Sequence, residues 1–218
     1  MPHSLGHILF LYIMVDLFNY TRRASSVAHI GALDLGGDNP IRIQSMTTTN
    51  TNDTEACVRQ AEEIIKAGGE LVRFTTQGSR EAENMKNINA GIRADGYQTP
   101  LVADVHFNPN VADVAALYCE KVRVNPGNYV DPARKFIKQE YTDEEYAHEL
   151  QKIEDRFVPF LNICKENHTA IRIGVNHGSL SDRIRNRYGD TPEGIVESCL
   201  EFLRICKKEN FHDVVISI

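Results

Sequence analysis

The chain has 218 residues, of which 42% are apolar and 25% are charged, and its net charge is -6. This composition is typical of a globular protein that buries one sizeable core. The net negative charge argues against a nucleic-acid partner, because binding to a phosphate backbone requires a basic field. The apolar stretch at residues 8–18 is well short of the ~20 residues that a membrane span needs, so we expect no membrane partner.

Residues 1–20 are set apart from the rest of the chain. They lack the basic region and the small-residue cleavage site of a secretory signal, which leaves a signal peptide as the less favoured alternative. We expect residues 1–20 to be an N-terminal extension, disordered or non-native. Residues 21–218 are then assigned to one domain.

Short apolar runs with strand character alternate with helical patterns along this domain. The predicted strands are residues 41–45, 70–74, 101–105, 121–125, 170–175 and 213–218. Their connections are far longer than hairpin turns, which favours βα units and a parallel sheet.

The helical patterns have recognisable beginnings and ends. Three predicted helices are residues 55–67, residues 143–164 and a helix that begins at Thr191-Pro192. Asn52 or Asp53 is the expected N-cap of the first helix, and Gly68-Gly69 is expected to end it. Pro159 is expected to kink or end the second helix.

The last predicted strand reaches the end of the sequence. A (β/α) barrel closes with eight strands, so we predict an α/β fold, a partial TIM barrel with about six of eight strands that is incomplete at its C-terminal end. An open sheet is the alternative. In both architectures ligands bind at the carboxyl ends of the strands.

Three predicted strands carry an arginine between apolar neighbours, in the same register: Arg73, Arg123 and Arg172. Because strand side chains alternate, Arg123 shares a face with Asn125, and Arg172 shares one with Asn176. A charge in an apolar setting costs several kcal/mol unless it is paired. The pattern therefore calls for an acid or a ligand.

Two other strand ends add Gln44, Asp104 and His106, the last two on one face. Any one arginine could belong to a structural ion-pair network, but Asp104 alone cannot serve three guanidinium groups. The missing partner is most simply a phosphate or diphosphate. A divalent-metal site at Asp104 and His106 is the less favoured alternative, because no equivalent strand end offers a further ligand. We expect Asp104 to orient an arginine or His106, and His106 to contact the anion or transfer a proton.

Two polar loops follow strands at the same predicted mouth. The backbone N–H groups of residues 176–181 and the Ser179 hydroxyl suit a phosphate oxygen. The loop at residues 44–51 is equally polar.

The chain's cysteines indicate reduced thiols in a cytosolic protein. They show neither a C-x-x-C motif nor a short metal-ligand spacing, so we expect no metal or cluster bound by this chain. The five are Cys57, Cys119, Cys164, Cys199 and Cys206.

Several stretches at these positions resemble the 4-hydroxy-3-methylbut-2-enyl diphosphate synthase family of the methylerythritol phosphate route to isoprenoids, in its long bacterial form. The stretches run in family order: residues 43–47, 71–73, 100–107, 122–128 and 171–180. The blocks Val-Arg-Val-Asn-Pro-Gly-Asn and Ile-Arg-Ile-Gly-Val-Asn are the most specific.

This resemblance implies a TIM barrel whose mouth binds 2-C-methyl-D-erythritol 2,4-cyclodiphosphate, which the enzyme opens reductively in terpenoid biosynthesis. Asp104 and His106 would be the catalytic residues. The implied substrate-binding residues are Gln44, Arg73, Arg123, Asn125, Arg172, Asn176 and Ser179.

The resemblance also implies parts that this chain lacks. In the family a C-terminal domain holds a [4Fe-4S] cluster on three cysteines and a glutamate, and the long form carries an inserted domain. Ferredoxin or flavodoxin supplies two electrons to this iron–sulfur oxidoreductase, which is expected to be a cytoplasmic homodimer. We expect the present chain alone to be inactive.

Two other functions stay open from the residues. A transferase barrel related to dihydropteroate synthase also places Asp, Asn and Arg at strand ends, although its pterin-reading motif is not found here. A non-catalytic module that binds a phosphate ligand is the other alternative.

Overall fold

A computed structural model describes residues 23–131 and 140–218, so the predicted extension at residues 1–20 lies outside the described residues. Six parallel strands form one curled sheet in chain order. They are β3 (Gln44–Met46), β4 (Leu71–Thr75), β5 (Leu101–Asp104), β6 (Lys121–Val124), β7 (Ala170–Gly174) and β8 (Val214–Ser217). The predicted partial α/β barrel is confirmed.

Helices connect the strands and cover the outer face of the sheet. They are α1 (Thr54–Lys66), α2 (Ser79–Ala94), α3 (Pro109–Ala116), α4 (Asp143–Asn167), α5 (Asp182–Tyr188) and α6 (Pro192–Lys208). Strand residues with outward side chains, such as Val72, Phe74 and Ile171, pack against these helices in the main core. In the described part of the chain, no helix combines the length and apolarity that a bilayer crossing requires.

The predicted helix caps are present. Asp53 caps α1 by accepting a hydrogen bond from the Ala56 N–H. Thr191 caps α6 through the Gly194 N–H at 3.2 Å, and Pro192 occupies the first turn.

The prediction that α4 ends at Pro159 is wrong, because the helix continues to Asn167. Pro159 and Asp155, whose carbonyl loses its usual helical partner, both lie on the exposed side, where water can replace that hydrogen bond. Phe157 and Phe160 on the opposite side are fully buried and hold the helix on the core.

An antiparallel hairpin that the sequence analysis did not predict precedes the sheet. It consists of β1 (Val27–Ile30) and β2 (Leu33–Gly36). Ile30 packs with Leu71 and Ala170 at the amino ends of the barrel strands, so the hairpin closes that end of the barrel with apolar side chains.

The same hairpin explains why β3 begins at Gln44, three residues later than predicted. Arg42 donates from Nε to the Asp34 carbonyl and from Nη1 to Glu70. The backbone N–H of Ile43 is bonded to the Glu70 carboxylate at 2.8 Å. Arg42 is thus held by the hairpin and Glu70, whereas the Ile43 carbonyl already accepts the backbone N–H groups of Glu70 and Leu71 beside β4.

Candidate functional site

The inner face of the sheet collects the predicted arginines. In the strand ladders Asp104 pairs with Arg123, and Arg123 pairs with Arg172. Side chains on neighbouring strands at paired positions point to the same face. The shared face that the sequence indicated is therefore present at the carboxyl half of the strands.

Asp104 lies at the centre of this group and is only 1% exposed. Its Oδ2 is hydrogen-bonded to Nη2 of Arg73, and its Oδ1 lies 3.3 Å from Nη1 of Arg123. The same Oδ1 is 3.5 Å from Nδ1 of His106. One carboxylate is thus shared by two guanidinium groups and faces an imidazole.

The three arginines are not equally buried, although the strand pattern treated them alike. Arg123 is 4% exposed, whereas Arg73 and Arg172 are only partly buried. Arg123 also donates from Nη2 to the Gly174 carbonyl at 3.0 Å. A Cβ on Gly174 would lie 2.4 Å from Arg123 Nε, so only glycine leaves room for this guanidinium.

The two outer arginines retain unused cationic capacity. The buried Nε of Arg73 has no hydrogen-bond partner in the described part of the chain. Arg172 donates to the neutral Ser217 hydroxyl at 2.5 Å. Burial lowers the pKa of Arg172, and the nearby Arg73 lowers it further. This repulsion between Arg73 and Arg172 indicates a cationic pocket, and a bound anion would reduce the repulsion.

Lys121 is a further cation on this face that the sequence reasoning missed. It is 2% exposed, and its Nζ donates to Oε1 of the predicted site residue Gln44 at 3.1 Å. The alternation of strand side chains that identified Arg123 also predicts the position of Lys121. Lys121 lies two residues earlier on the same strand, so its side chain points to the same face as that of Arg123.

The predicted loop residues are brought to the same end of the sheet. Asn125 Nδ2 donates to Ser179 Oγ at 2.9 Å, and the backbone N–H of Gly127 donates to Asn125 Oδ1 at 3.3 Å. A Cβ on Gly127 would lie 1.7 Å from the Ser179 carbonyl oxygen, so the glycine permits this close approach. Asn176 is exposed beside them, and its carbonyl accepts the Ser179 N–H.

His106 lies at the rim of the group and is partly buried. Burial lowers its pKa, Asp104 opposes that effect, and Arg123 and Arg73 reinforce it. The imidazole is therefore largely neutral at pH 7, with one nitrogen able to accept a proton or hydrogen bond.

The described residues contain no group of three or more His, Cys, Asp or Glu side chains arranged to hold a metal. The five cysteines are free and buried. Burial raises the pKa of each thiol, which disfavours the thiolate that metals and clusters require.

Three arginines therefore gather near one carboxylate towards the carboxyl ends of the strands, and Lys121 adds a fourth cation one layer nearer the amino ends. Guanidinium groups and an ammonium in a partly dehydrated pocket are suited to an anion with several oxygens. The fold and this arrangement define a (β/α)-barrel protein with a cationic mouth.

Residues 25–218 match the family model described as the GcpE TIM-barrel domain. The chain belongs to this family.

Curated relatives carry the name 4-hydroxy-3-methylbut-2-en-1-yl diphosphate synthase (flavodoxin). The relative from Phocaeicola vulgatus is 76% identical over 204 residues, which is 94% of this chain and 33% of the relative. The relative from Porphyromonas gingivalis is 52% identical over 205 residues, which is 94% of this chain and 35% of the relative. The chain thus spans about a third of the length of these relatives.

Among solved structures, a truncated form of 3-deoxy-D-arabino-heptulosonate 7-phosphate synthase from Thermotoga maritima is similar in fold. Its TM-score is 0.54 at 10% identity, and the match covers 88% of this chain and 56% of that chain. This likeness concerns the fold alone.

Proposed function

We propose that this chain is the substrate-binding barrel portion of a 4-hydroxy-3-methylbut-2-enyl diphosphate synthase, the enzyme that reductively opens 2-C-methyl-D-erythritol 2,4-cyclodiphosphate. The observation that carries the proposal is the excess of cations over carboxylates on the inner face of the barrel. Arg73 and Arg123 are bonded to Asp104, Arg172 lies close enough to feel its charge, and Lys121 lies one layer nearer the amino ends of the strands. The names of curated relatives up to 76% identical to this chain support the substrate and the reaction.

The half-buried arginines are the ones best placed to touch the diphosphate. The Nε of Arg73 has no partner within the described parts of the chain, and Arg172 would give up only its hydrogen bond to the Ser217 hydroxyl when an anion binds. Arg123, which is held by Asp104 and the Gly174 carbonyl, supplies a fixed positive charge beside them.

Polar groups around the arginines would orient the rest of the substrate. Asn125 and Ser179 hold one another at the end of β6, and the exposed Asn176 side chain lies beside them. Gln44 acts indirectly, because its amide oxygen accepts the Lys121 ammonium.

The two predicted catalytic residues have different proposed roles. Asp104 keeps Arg73 and Arg123 in place rather than moving a proton, since both of its oxygens are occupied by guanidinium groups. We propose that His106 accepts a hydrogen bond or a proton from the substrate, because its imidazole is partly exposed and its lowered pKa leaves it largely neutral.

The family's [4Fe-4S] cluster does not fit the described residues, which offer no ligand set for it and only buried, protonated thiols. The described residues therefore take no part in holding the cluster. We propose that cluster and electron transfer belong to parts of the longer protein, with flavodoxin as the donor named for the relatives. A cytoplasmic homodimer and an inactive isolated barrel are parts of the same proposal.

Calorimetry with the cyclic diphosphate tests the binding role. We expect Arg172→Met and Arg73→Met each to weaken binding by about 10- to 100-fold, because a charge-assisted hydrogen bond contributes roughly 1.5–3 kcal/mol. Arg204→Met is the matched control, since Arg204 is an exposed residue of α6 paired with Glu197. Equal affinities for all three variants and the parent chain would exclude the arginines from the site.

A further inference from the structure

Lys121 is a buried cation that has no acidic partner among residues 23–131 and 140–218. Its side chain lies on the inner face of β6, and Lys121 is 2% exposed. An ammonium group has three hydrogen-bond donors, yet the described residues give it one acceptor, the Gln44 amide oxygen. None of the ion pairs among the described residues includes Lys121.

The neighbouring strands make this position more unfavourable for a positive charge. Arg73 on β4 and Arg172 on β7 both repel the ammonium, and Asp104 on β5 is already engaged by Arg73 and Arg123. In the ladders Lys121 pairs with Val102 and Ala170, which belong to the apolar cluster that closes the amino end of the barrel. Burial and these two arginines lower the pKa of Lys121 to about 8.

We propose that Lys121 takes up a proton from solvent when an anion binds at the arginine site. The inference rests on the anion binding argued under the proposed function. In the free chain the amine is neutral in a substantial fraction of molecules at slightly alkaline pH. A bound anion offsets the repulsion from Arg73 and Arg172, so the amine becomes an ammonium without any other bond being made or broken.

Two other titratable groups face the same pocket and must be separated from Lys121. Asp104 is paired with two guanidinium groups. The pKa of His106 is lowered, so the imidazole is neutral above pH 8 and contributes little in the alkaline range where Lys121 titrates. Proton uptake at alkaline pH is therefore specific to Lys121.

The test follows the ¹³Cε resonances of labelled lysine by NMR as pH is varied, with and without saturating sulfate. Sulfate is chosen because it does not titrate in this range. We expect the resonance that is missing in Lys121→Met to titrate near pH 8 in the free chain, and at least one pH unit higher with sulfate. Backbone amide shifts at Arg73 and Arg172 report anion binding separately.

Each outcome has a distinct meaning. Sulfate that binds at the mouth without moving the Lys121 titration overturns the proton uptake and leaves the proposed function intact. An ordinary lysine titration in the free chain does the same. If no sulfate binds near the arginines, the proposed function fails and the coupling fails with it.

Affinity measurements give a second readout. Between pH 7.5 and 9.5 the parent chain should lose about fivefold in sulfate affinity, as expected if binding raises the relevant pKa by about one unit. Lys121→Met and Lys121→Arg should each lose this pH dependence, because methionine carries no charge and arginine keeps its charge throughout. Lys152→Met, at an exposed position of α4, should retain it.

Discussion

Asp104 is the only carboxylate shared by two of the described arginines of the mouth, and it is nearly inaccessible to solvent. We expect Asp104→Asn to lower the free energy of unfolding by about 3–5 kcal/mol, because it leaves buried guanidinium charge without its counterion. Urea unfolding measures this effect. Asp113→Asn is the control, since the half-buried pair of Asp113 with Arg156 should contribute about 1 kcal/mol or less. Equal effects of the two substitutions would mean that Asp104 does not compensate the arginines.

Gly174 provides the space that Arg123 occupies. We expect Gly174→Ala to destabilise the fold by about 1–3 kcal/mol through overpacking and to weaken binding of the cyclic diphosphate, because the new Cβ would lie 2.4 Å from Arg123 Nε. Thermal unfolding and calorimetry measure the two effects. Gly178→Ala is the matched control, since nothing lies within 4 Å of its added Cβ. A Gly174→Ala protein that is as stable and binds as well as the Gly178→Ala protein would contradict this packing argument.

Lys121 should also link folding stability to pH. Its pKa is about 8 in the folded chain and near the ordinary 10.5 in the unfolded chain, so the unfolded chain binds more protons between these values. Stability from this group therefore rises with pH from about 8 to 10.5, and the full penalty of roughly 3 kcal/mol applies below pH 8.

The corresponding measurement compares urea unfolding of the parent chain and Lys121→Met at pH 7 and pH 9.5. The variant should be more stable at pH 7, and its advantage should shrink at pH 9.5. A constant difference between the two proteins would show that the lysine does not titrate abnormally.

At the scale of elements, the hairpin of β1 and β2 closes the amino end of the barrel. Ile30 is fully buried there against Leu71 and Ala170. We expect Ile30→Ala to cost about 2–5 kcal/mol of unfolding free energy, because it opens a cavity at the end of the barrel. Ile41→Ala, at a position 76% exposed, should change stability by less than about 0.5 kcal/mol. A similarly small effect at Ile30 would show that the barrel strands do not depend on the hairpin.

The elements differ in how well the sequence predicts them, for physical reasons. Period-two alternation around Arg73, Arg123 and Arg172 is a local signal, and it located strands that the ladders confirm. The hairpin has only four residues in each strand and is stabilised by contacts with distant strands, so its own sequence carries a weak signal. The continuation of α4 past Pro159 likewise depends on tertiary packing of its buried face.

The site shows the same division. The alternation of strand side chains predicts which site residues share a face. It does not predict their hydrogen-bond and ion-pair partners. Asp104 could have oriented either an arginine or His106, and the structure shows two arginines bonded to it with His106 at 3.5 Å. Lys121 was missed because lysine at the start of a strand is usually exposed, whereas here it is on the inner face of the barrel and only 2% exposed.

For the molecule as a whole, the charge distribution matters more than the net charge. The chain carries a net charge of -6, yet the inner face of the barrel is cationic. We therefore expect anion binding to be confined to the mouth, because the net charge of the protein as a whole repels anions. Binding there should weaken as salt is raised, but less steeply than for an exposed basic patch, since buried charges are screened less.

A crystal structure of the chain bound to the cyclic diphosphate tests the central claim most directly. The account predicts both phosphorus atoms at the carboxyl ends of the strands, with phosphate oxygens within hydrogen-bonding distance of Arg73 and Arg172. The contrasting location is the cavity at the opposite end of the barrel, lined by Lys86, Asn89 and Asn167 among others. A diphosphate bound in that cavity, with the arginine cluster unoccupied, would contradict the account.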